Sequence, residues 1–496
     1  MKHCLSLLFF SLAAALASGA DEPHRFNVLF IALDDLRPEL GCYGQAHVHS
    51  PNIDRLAARG VVFNRAYCQY ALCNPTRSSL LTGLRPDSTG VFSNPPYFRE
   101  KAPDVVTLPQ QFKQHGYVTR AFGKIYHQAF EAKPHVSPMS DDPPSWSEPH
   151  WYGSPQYYFT PHGMAVAREV FAKRSGKSGT DLDGWKQEFV QGLATEAPDV
   201  PDNTLYDGEM TDRAILALSE LKGKSFFLAV GYLKPHLPFV APKKYWDLYS
   251  HAEVKLPNPS TAPKDAPAVA LHNSSELHGQ YTDMRNDPLT EAQARELRHG
   301  YYACVSFVDA QIGRLLAELD RLGLREQTIV VLWGDHGWHL GEQNLWGKFT
   351  DFELAARAPL IVSAPGRKVA GTKSNALVEF VDIFPSLCEL AGLQLPSHLE
   401  GTSFAPLLDA PDKPWKTAAF TQVVHGPATG RSLRTDRYRF TRWQKTKSPG
   451  ETVALELYDF LKEPLEMENI AGRPENAALV KELTAKLEAG WRAAKF

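Results

Sequence analysis

A cysteine heads the segment Cys73-Asn74-Pro75-Thr76-Arg77-Ser78-Ser79-Leu80-Leu81-Thr82-Gly83, two residues before a proline and four before an arginine. Asn74 is a good N-cap and Pro75 suits the first helical position, so the spacing predicts a helix whose positive dipole end lies beside Cys73. Arg77, one turn further on, faces the same side. A thiol so placed can be a low-pKa thiolate nucleophile; the bland alternative is a buried cysteine capping an ordinary helix.

Two acidic sites stand far from it in the chain. Asp34-Asp35 is a pair of carboxylates that repel each other unless a cation lies between them, although the same pair can cap a helix. Gly334-Asp335-His336-Gly337 adds a carboxylate and an imidazole, with glycines that allow close approach. Together they make an oxygen-rich donor set that favours calcium or magnesium. Basic residues recur as well. Lys124 and His127 lie three apart in Gly123-Lys124-Ile125-Tyr126-His127, a spacing common by accident. His236 sits between prolines in Lys234-Pro235-His236-Leu237-Pro238, where a structural histidine is the alternative, and Lys348 in Trp346-Gly347-Lys348 reads alone as a solvated lysine.

These residues need elements to carry them. Phe26 to Leu33, Phe226 to Gly231 and Thr328 to Trp333 are nearly continuous apolar runs, the pattern of strands buried on both faces of a parallel sheet. Ser50-Pro51 opens a helix that closes before Gly60, and a long amphipathic helix runs from about Glu291 to Leu322, stopped by Gly323. The alternation predicts an α/β domain with a mainly parallel sheet, in which ligands bind beyond the carboxyl ends of the strands. Asp34-Asp35 and Asp335-His336 each follow a predicted strand end directly, so they are expected to converge. Lys133 to Pro161 and Leu256 to Pro288 are Pro-rich and polar, and read as long loops that shape a binding site. Beyond Pro396 the pattern changes to short strands, Ser432 to Trp443 and Ala454 to Phe460, and a final helix from Asn476 to Trp491, which predicts a smaller α+β subdomain.

The chain has 496 residues, 43% of them hydrophobic, and a formal net charge of -3. That length exceeds one hydrophobic core, and the balance of charge argues against a nucleic-acid binder or a polybasic membrane protein. Met1-Lys2-His3, the apolar Leu5 to Leu16 and the small residues Ala17-Ser18-Gly19-Ala20 predict a signal peptide cleaved near Ala20, hence a secreted or periplasmic protein with no membrane span. The expected division is residues 1–20 as signal, 21–395 as catalytic domain and 396–496 as C-terminal subdomain. Cleavage would remove Cys4 and leave Cys42, Cys68, Cys73, Cys304 and Cys388, an odd number in an oxidising compartment. Cys73 is the candidate for the unpaired one.

Cys73-x-Pro75-x-Arg77 followed by Leu81-Thr82-Gly83, with the acidic and basic sites above in the same order, resembles the type I sulfatases across nearly the whole mature chain. The resemblance is nearest to the iduronate-2-sulfatase branch, through Gly41-Cys42-Tyr43-Gly44, Ser50-Pro51-Asn52-Ile53-Asp54, Gly231-Tyr232, Lys234-Pro235-His236, Asp335-His336-Gly337-Trp338, Leu340-Gly341-Glu342 and Glu456-Leu457-Tyr458-Asp459. His336, where most of the family has asparagine, is a mark of the same branch. The resemblance implies an alkaline-phosphatase-like fold: a large, mainly parallel sheet flanked by helices, and a C-terminal α+β subdomain with antiparallel strands.

It also implies that a maturation enzyme oxidises Cys73 to formylglycine (3-oxoalanine), whose hydrate is the nucleophile. One Ca2+ would be held by Asp34, Asp35, Asp335, His336 and the modified Cys73. Arg77 and Lys124 would hold the hydrated aldehyde and offset sulfate charge, His127 would be the base, and His236 and Lys348 would grip the sulfate and assist the departing alcohol. The implied substrate is a sulfated carbohydrate, with 2-O-sulfated uronates of glycosaminoglycans as one candidate and other sulfated glycans, algal ones included, as others. Such a site must offset the charge that spreads over the sulfate oxygens, which is why cations cluster there. A plain serine would lack the second hydroxyl whose deprotonation expels the sulfate. A phosphate or phosphonate ester hydrolase of the same superfamily and a non-catalytic polysaccharide-binding protein are the readings from other classes. Trp338 and His425 are candidates for sugar contact or for packing.

Overall fold

The three apolar runs become the centre of one sheet. A computed structural model describes residues 25–127, 142–153, 155–182 and 190–495; the expected signal peptide and part of the loop from Lys133 lie outside them. The sheet contains β1 (Asn27–Leu33), β2 (Val61–Tyr67), β3 (Val118–Gly123), β4 (Phe226–Tyr232), β5 (Thr328–Gly334), β6 (Leu360–Ser363) and β7 (Thr372–Glu379). Their spatial order is β7-β2-β6-β5-β1-β4-β3. Every neighbouring pair is parallel except those of β6, which runs antiparallel to β2 and β5.

Strand alternation explains the continuous apolar runs. Leu29, Ile31 and Leu33 of β1 join Leu228 and Val230 of β4 in a core on one face, and Val28, Phe30 and Ala32 join Phe227 and Ala229 on the other. Both faces are covered, so neither parity of side chain can be polar. The helices that bear on the site and the core are, in chain order, α1 (Pro51–Ala57), α2 (Cys73–Thr82), α3 (Tyr206–Leu221), α4 (Ser275–Gln280), α5 (Glu291–Arg321) and, at the C-terminus, α6 (Ala477–Ala493). The long α5 starts from a capping box between Thr290 and Gln293 and buries Leu297, Val305, Val308 and Leu315 with the first face. Leu80 and Leu81 of α2 pack on the second.

Two details differ from the sequence reading. α2 begins at Cys73 itself, with Leu72 as N-cap and no side-chain cap. Asn74 does not cap it, because its amide donates instead to the carbonyls of Ser93 at 3.1 Å, Asn94 at 2.5 Å and Pro96 at 2.8 Å. The segment Ser432 to Trp443 is not one strand but parts of two. β8 (Ala419–His425), β9 (Ala428–Arg434), β10 (Tyr438–Lys445) and β11 (Ser448–Asp459) form an antiparallel sheet in sequential order. Leu483 of α6 closes a small core with Leu433, Phe440 and Leu457. This subdomain is tied to the large sheet's domain through Glu353, whose carboxylate accepts from Arg439 at 2.6 Å and Arg434 at 3.3 Å. The loop from Leu256 to Pro288 contains α4.

The four parallel strands β5, β1, β4 and β3 are consecutive neighbours, and in register Leu33 lies beside both Gly334 and Tyr232, and Gly123 beside Gly231. Their carboxyl ends therefore deliver Asp34-Asp35, Asp335-His336, Lys234 to His236, and Lys124 to one edge.

Candidate active site

Cys73 lies over that edge. Its Sγ is 3.4 Å from Asp34 Oδ1 and 3.4 Å from His336 Nε2. Asp34, Cys73, Asp335 and His336 form one group of potential ligand atoms, and Asp35, Cys73 and His236 form another that shares the cysteine. The strand ends are locked to each other: the Asp35 and His336 backbone N–H groups both donate to Asp335 Oδ1 at 3.0 Å. Asp35 adopts a left-handed backbone with φ 60°, uncommon for a side chain with a Cβ and frequent at functional turns.

The His336 ring reveals what this cluster fits. Its Nδ1 lies 3.0 Å from the Gly337 carbonyl, which can only accept, so Nδ1 carries the proton and Nε2 presents a lone pair. That lone pair faces Asp35 Oδ1 at 3.5 Å and Asp335 Oδ1 at 3.6 Å, with no exposed surface on the three side chains. Carboxylate oxygens and an imidazole lone pair converging in a dry site repel unless a cation joins them, so the donor set fits a divalent metal. Of the residues expected to hold a cation, Asp34, Cys73, Asp335 and His336 come together in one group, and Asp35 shares the other with Cys73 and His236.

Cations surround the cluster. Lys124 Nζ donates to Asp34 Oδ2, and Lys348 Nζ to both oxygens of Asp35 at 2.9 and 3.0 Å. Burial resists ionisation of Asp34, but Lys124, His236 and Arg77 more than offset it and hold its carboxyl well below the usual range. Lys348 is no solvated lysine: it is 4% exposed, and its ammonium lies 4.9 Å over the Trp338 ring. Arg77, fully buried, donates from Nε to Asp335 Oδ2 at 2.9 Å and from Nη1 to the carbonyls of Lys124 at 2.6 Å and Ile125 at 2.9 Å. Among the described residues its Nη2 has no hydrogen-bond acceptor, and it lies 3.6 Å from Asp34 Oδ1. Most of this guanidinium is scaffold, and Nη2 is the donor left for a ligand.

The two histidines differ. Burial and the nearby Lys124 push the His127 imidazole well below its ordinary value, so it is neutral. His236 is raised instead: burial works against its charge, but Asp35, Asp34 and Glu276 together favour it. Its Nε2 lies 3.2 Å from Glu276 Oε1 and 3.7 Å from Asp35 Oδ2. The loop that carries it is held by Asp207, which accepts from the backbone N–H groups of Leu233 and Lys234, each at 2.9 Å.

The low-pKa thiolate reading of Cys73 does not hold. Burial, with Asp34 beside it, pushes the thiol well above its ordinary value, so the unmodified side chain is a protonated thiol. The described cysteines are all free, Cys42, Cys68, Cys304 and Cys388 among them. Trp338 is 1% exposed and packs in the core, whereas His425 is half-buried, bridges the carbonyls of Val269 at 2.7 Å and Phe349 at 2.6 Å and leans on Trp443. Glu276 was missed. A single glutamate in a polar loop has no signature, and only α4 brings it to the edge.

The chain has relatives along nearly its whole length. A family model described as Sulfatase matches residues 26–393, and one described as N-sulphoglucosamine sulphohydrolase, C-terminal, matches residues 341–492. Iduronate 2-sulfatase of Mus musculus is 33% identical, over 96% of this chain and 97% of that protein. A solved structure described as a complex with its substrate D-glucosamine-2-N,6-O-disulfate superposes with a TM-score of 0.72 at 23% identity, covering 94% of this chain and 98% of the other. Phosphonate monoester hydrolase of Agrobacterium radiobacter gives 0.70 at 23% identity, covering 94% and 95%. At such identities these two structures speak for the fold, which is the expected alkaline-phosphatase-like one.

Proposed function

The chain belongs to the sulfatase family and is a sulfuric ester hydrolase, and from that premise we propose that it desulfates sulfated sugars through a formylglycine made from Cys73. The observation that carries this reading is the position of Cys73 Sγ, 3.4 Å from both Asp34 Oδ1 and His336 Nε2. Candidate substrates include 2-O-sulfated uronates of glycosaminoglycans, a choice supported by full-length similarity to an iduronate 2-sulfatase. The proposed organisation is an exported chain, secreted or periplasmic, that loses residues 1–20, with residues 21–395 catalytic and 396–496 a subdomain.

Asp34, Asp35, Asp335, His336 and the modified Cys73 would hold a cation, calcium being the fit for an oxygen-rich donor set. When present, the cation supplies positive charge against the sulfate oxygens and formylglycine supplies a hydrated aldehyde as nucleophile. The chain's own residues do the rest. Arg77 Nη2, Lys124 Nζ and Lys348 Nζ place positive charge around the anion, in a site where burial strengthens each interaction. His236, favoured in its charged form, carries a proton for the departing sugar oxygen. His127, kept neutral, accepts the proton whose removal releases sulfate. The maturation enzyme is a required partner.

The decisive experiment is co-expression with a formylglycine-generating enzyme, followed by mass spectrometry of the peptide containing Cys73 and assay on aryl sulfate, phosphate and phosphonate esters. Aldehyde in place of thiol, with sulfate ester turned over fastest, supports the proposal. A persistent thiol with no sulfate turnover overturns it. The fold shared with a phosphonate monoester hydrolase favours a second reading, that the same site takes phosphonate esters, and the same panel would reveal that preference. Defined sulfated uronates, hexosamines and galactans then identify the sugar.

A further inference from the structure

Away from the Cys73 cluster, two histidines meet nitrogen to nitrogen. His251 Nδ1 lies 3.3 Å from His299 Nδ1 and 3.4 Å from Glu296 Oε2. Glu296 and His299 are one turn apart on α5, and His251 opens a short 3-10 turn, His251–Glu253, that lies against it. The three ligand atoms all lie within 4.8 Å of one another.

The tautomer of His299 follows from its far side. Its Nε2 lies 2.9 Å from the Trp246 carbonyl, an acceptor only, so Nε2 holds the proton and Nδ1 offers a lone pair. This arrangement, an imidazole whose second nitrogen donates to a backbone carbonyl, is the usual support of a metal-ligating histidine. A single proton on His251 Nδ1 could satisfy one acceptor, yet two stand at nearly equal distance. The spacing matches a different solution: bonds of about 2.0–2.1 Å in a tetrahedral zinc site put adjacent ligand atoms about 3.3–3.4 Å apart.

The surroundings are already set. The Thr195 hydroxyl donates to Glu296 Oε1 at 3.4 Å, which leaves Oε2 for His251. Arg295 donates to the carbonyls of Ala252, at 3.4 Å, and Val254, pinning the turn to the helix. His299 is buried, whereas His251 and Glu296 keep about half their side-chain surface, 46% and 40%, so an ion has a way in and room for water as a fourth ligand.

We propose that His251, Glu296 and His299 form a second metal site, specific for zinc-class divalent ions, that clips the start of the segment running to Pro288 onto α5. The same segment carries Glu276 to the active site, so the clip would steady one wall of it. Imidazole nitrogens select zinc over the calcium that suits the oxygen-rich cluster.

Cobalt(II) is the probe, added to the purified full-length protein after chelator treatment and reloading with calcium. Tetrahedral nitrogen and oxygen ligation gives visible d–d bands without the near-ultraviolet thiolate charge-transfer band that ligation by Cys73 would add. One equivalent should bind with those bands, be displaced by zinc, and bind about 100-fold or more weakly in His251→Ala and His299→Ala, but normally in Cys73→Ala. His299 is buried, so His251→Ala, at an exposed position, decides the matter if His299→Ala does not fold. Absence of such an equivalent, or its survival in His251→Ala, overturns the proposal and leaves the pair as a hydrogen bond.

Discussion

Glu276 places its carboxylate 3.2 Å from Lys348 Nζ, and the same group reaches His236 Nε2 at 3.2 Å. Although burial resists its charge, Lys348 and His236 hold its carboxyl well below the usual range, so it is an anion shared by the two groups that the proposed mechanism assigns to sulfate. Glu276→Gln removes that anchor without changing size. Hydrogen bonds to charged groups contribute about 1.5–3 kcal/mol, so kcat/KM should fall about 10- to 100-fold in steady-state assays while the melting temperature stays close to wild type. Unchanged kinetics would exclude Glu276 from the machinery.

Arg77 binds Asp335 and the carbonyls of Lys124 and Ile125 from one planar group, so its charge alone does not explain its position. A lysine cannot span those partners. Arg77→Lys should destabilise the protein by about 3–5 kcal/mol in urea titrations, because a buried pair is broken, and reduce kcat more than about 100-fold. A lysine variant as stable and active as wild type would show that charge alone suffices.

Residues at strand ends were legible because burial on both faces leaves an unmistakable apolar run, and a carboxylate directly after it can only lie at the edge. Asp34, Asp35, Asp335 and His336 are of this kind. Asn74 misled for a tertiary reason: its amide satisfies three carbonyls of the following loop, and a rank order of capping residues contains no such competition. The turn Thr435-Asp436-Arg437 has no glycine or proline, so β9 and β10 read as one strand. Glu276 and the His251, Glu296 and His299 cluster depend on loops folding against α5, which no local spacing encodes.

His127 and His236 carry opposite protonation preferences, and each should matter in turnover. His127→Ala and His236→Ala should each cut kcat by about 100- to 10,000-fold, the range for a lost general base or acid. Near-normal kcat in either variant would remove that residue from proton transfer.

At the subdomain joint, Arg439 bridges two carboxylates, Glu353 and Glu466, at 2.6 and 2.7 Å. Burial, only partly offset by Arg439, pushes Glu466 from 4.5 up to about 7. A carboxyl raised on folding contributes stability that is whole below pH 4.5 and lost as pH climbs through 7, since ionisation then costs more in the native state. The stability difference between wild type and Glu466→Gln should therefore move against wild type by about 1–3 kcal/mol from acid to pH ~8. A difference independent of pH in chemical denaturation would show that Glu466 titrates alike in the folded and unfolded chain, and would refute the raised carboxyl.

Cys73 itself separates folding from chemistry. Its side chain is small and lies among polar groups, so Cys73→Ala should keep the circular dichroism and melting temperature of wild type while turnover disappears. Cys73→Ser tests the logic of the modification. A serine has one hydroxyl; once that oxygen carries sulfate, His127 has no second hydroxyl to deprotonate, and release would require attack by water instead. The serine variant should therefore give at most one equivalent of desulfated sugar per chain and a mass increase on the Cys73-position peptide. Sustained turnover by that variant, followed over many equivalents, would refute the requirement for a second hydroxyl.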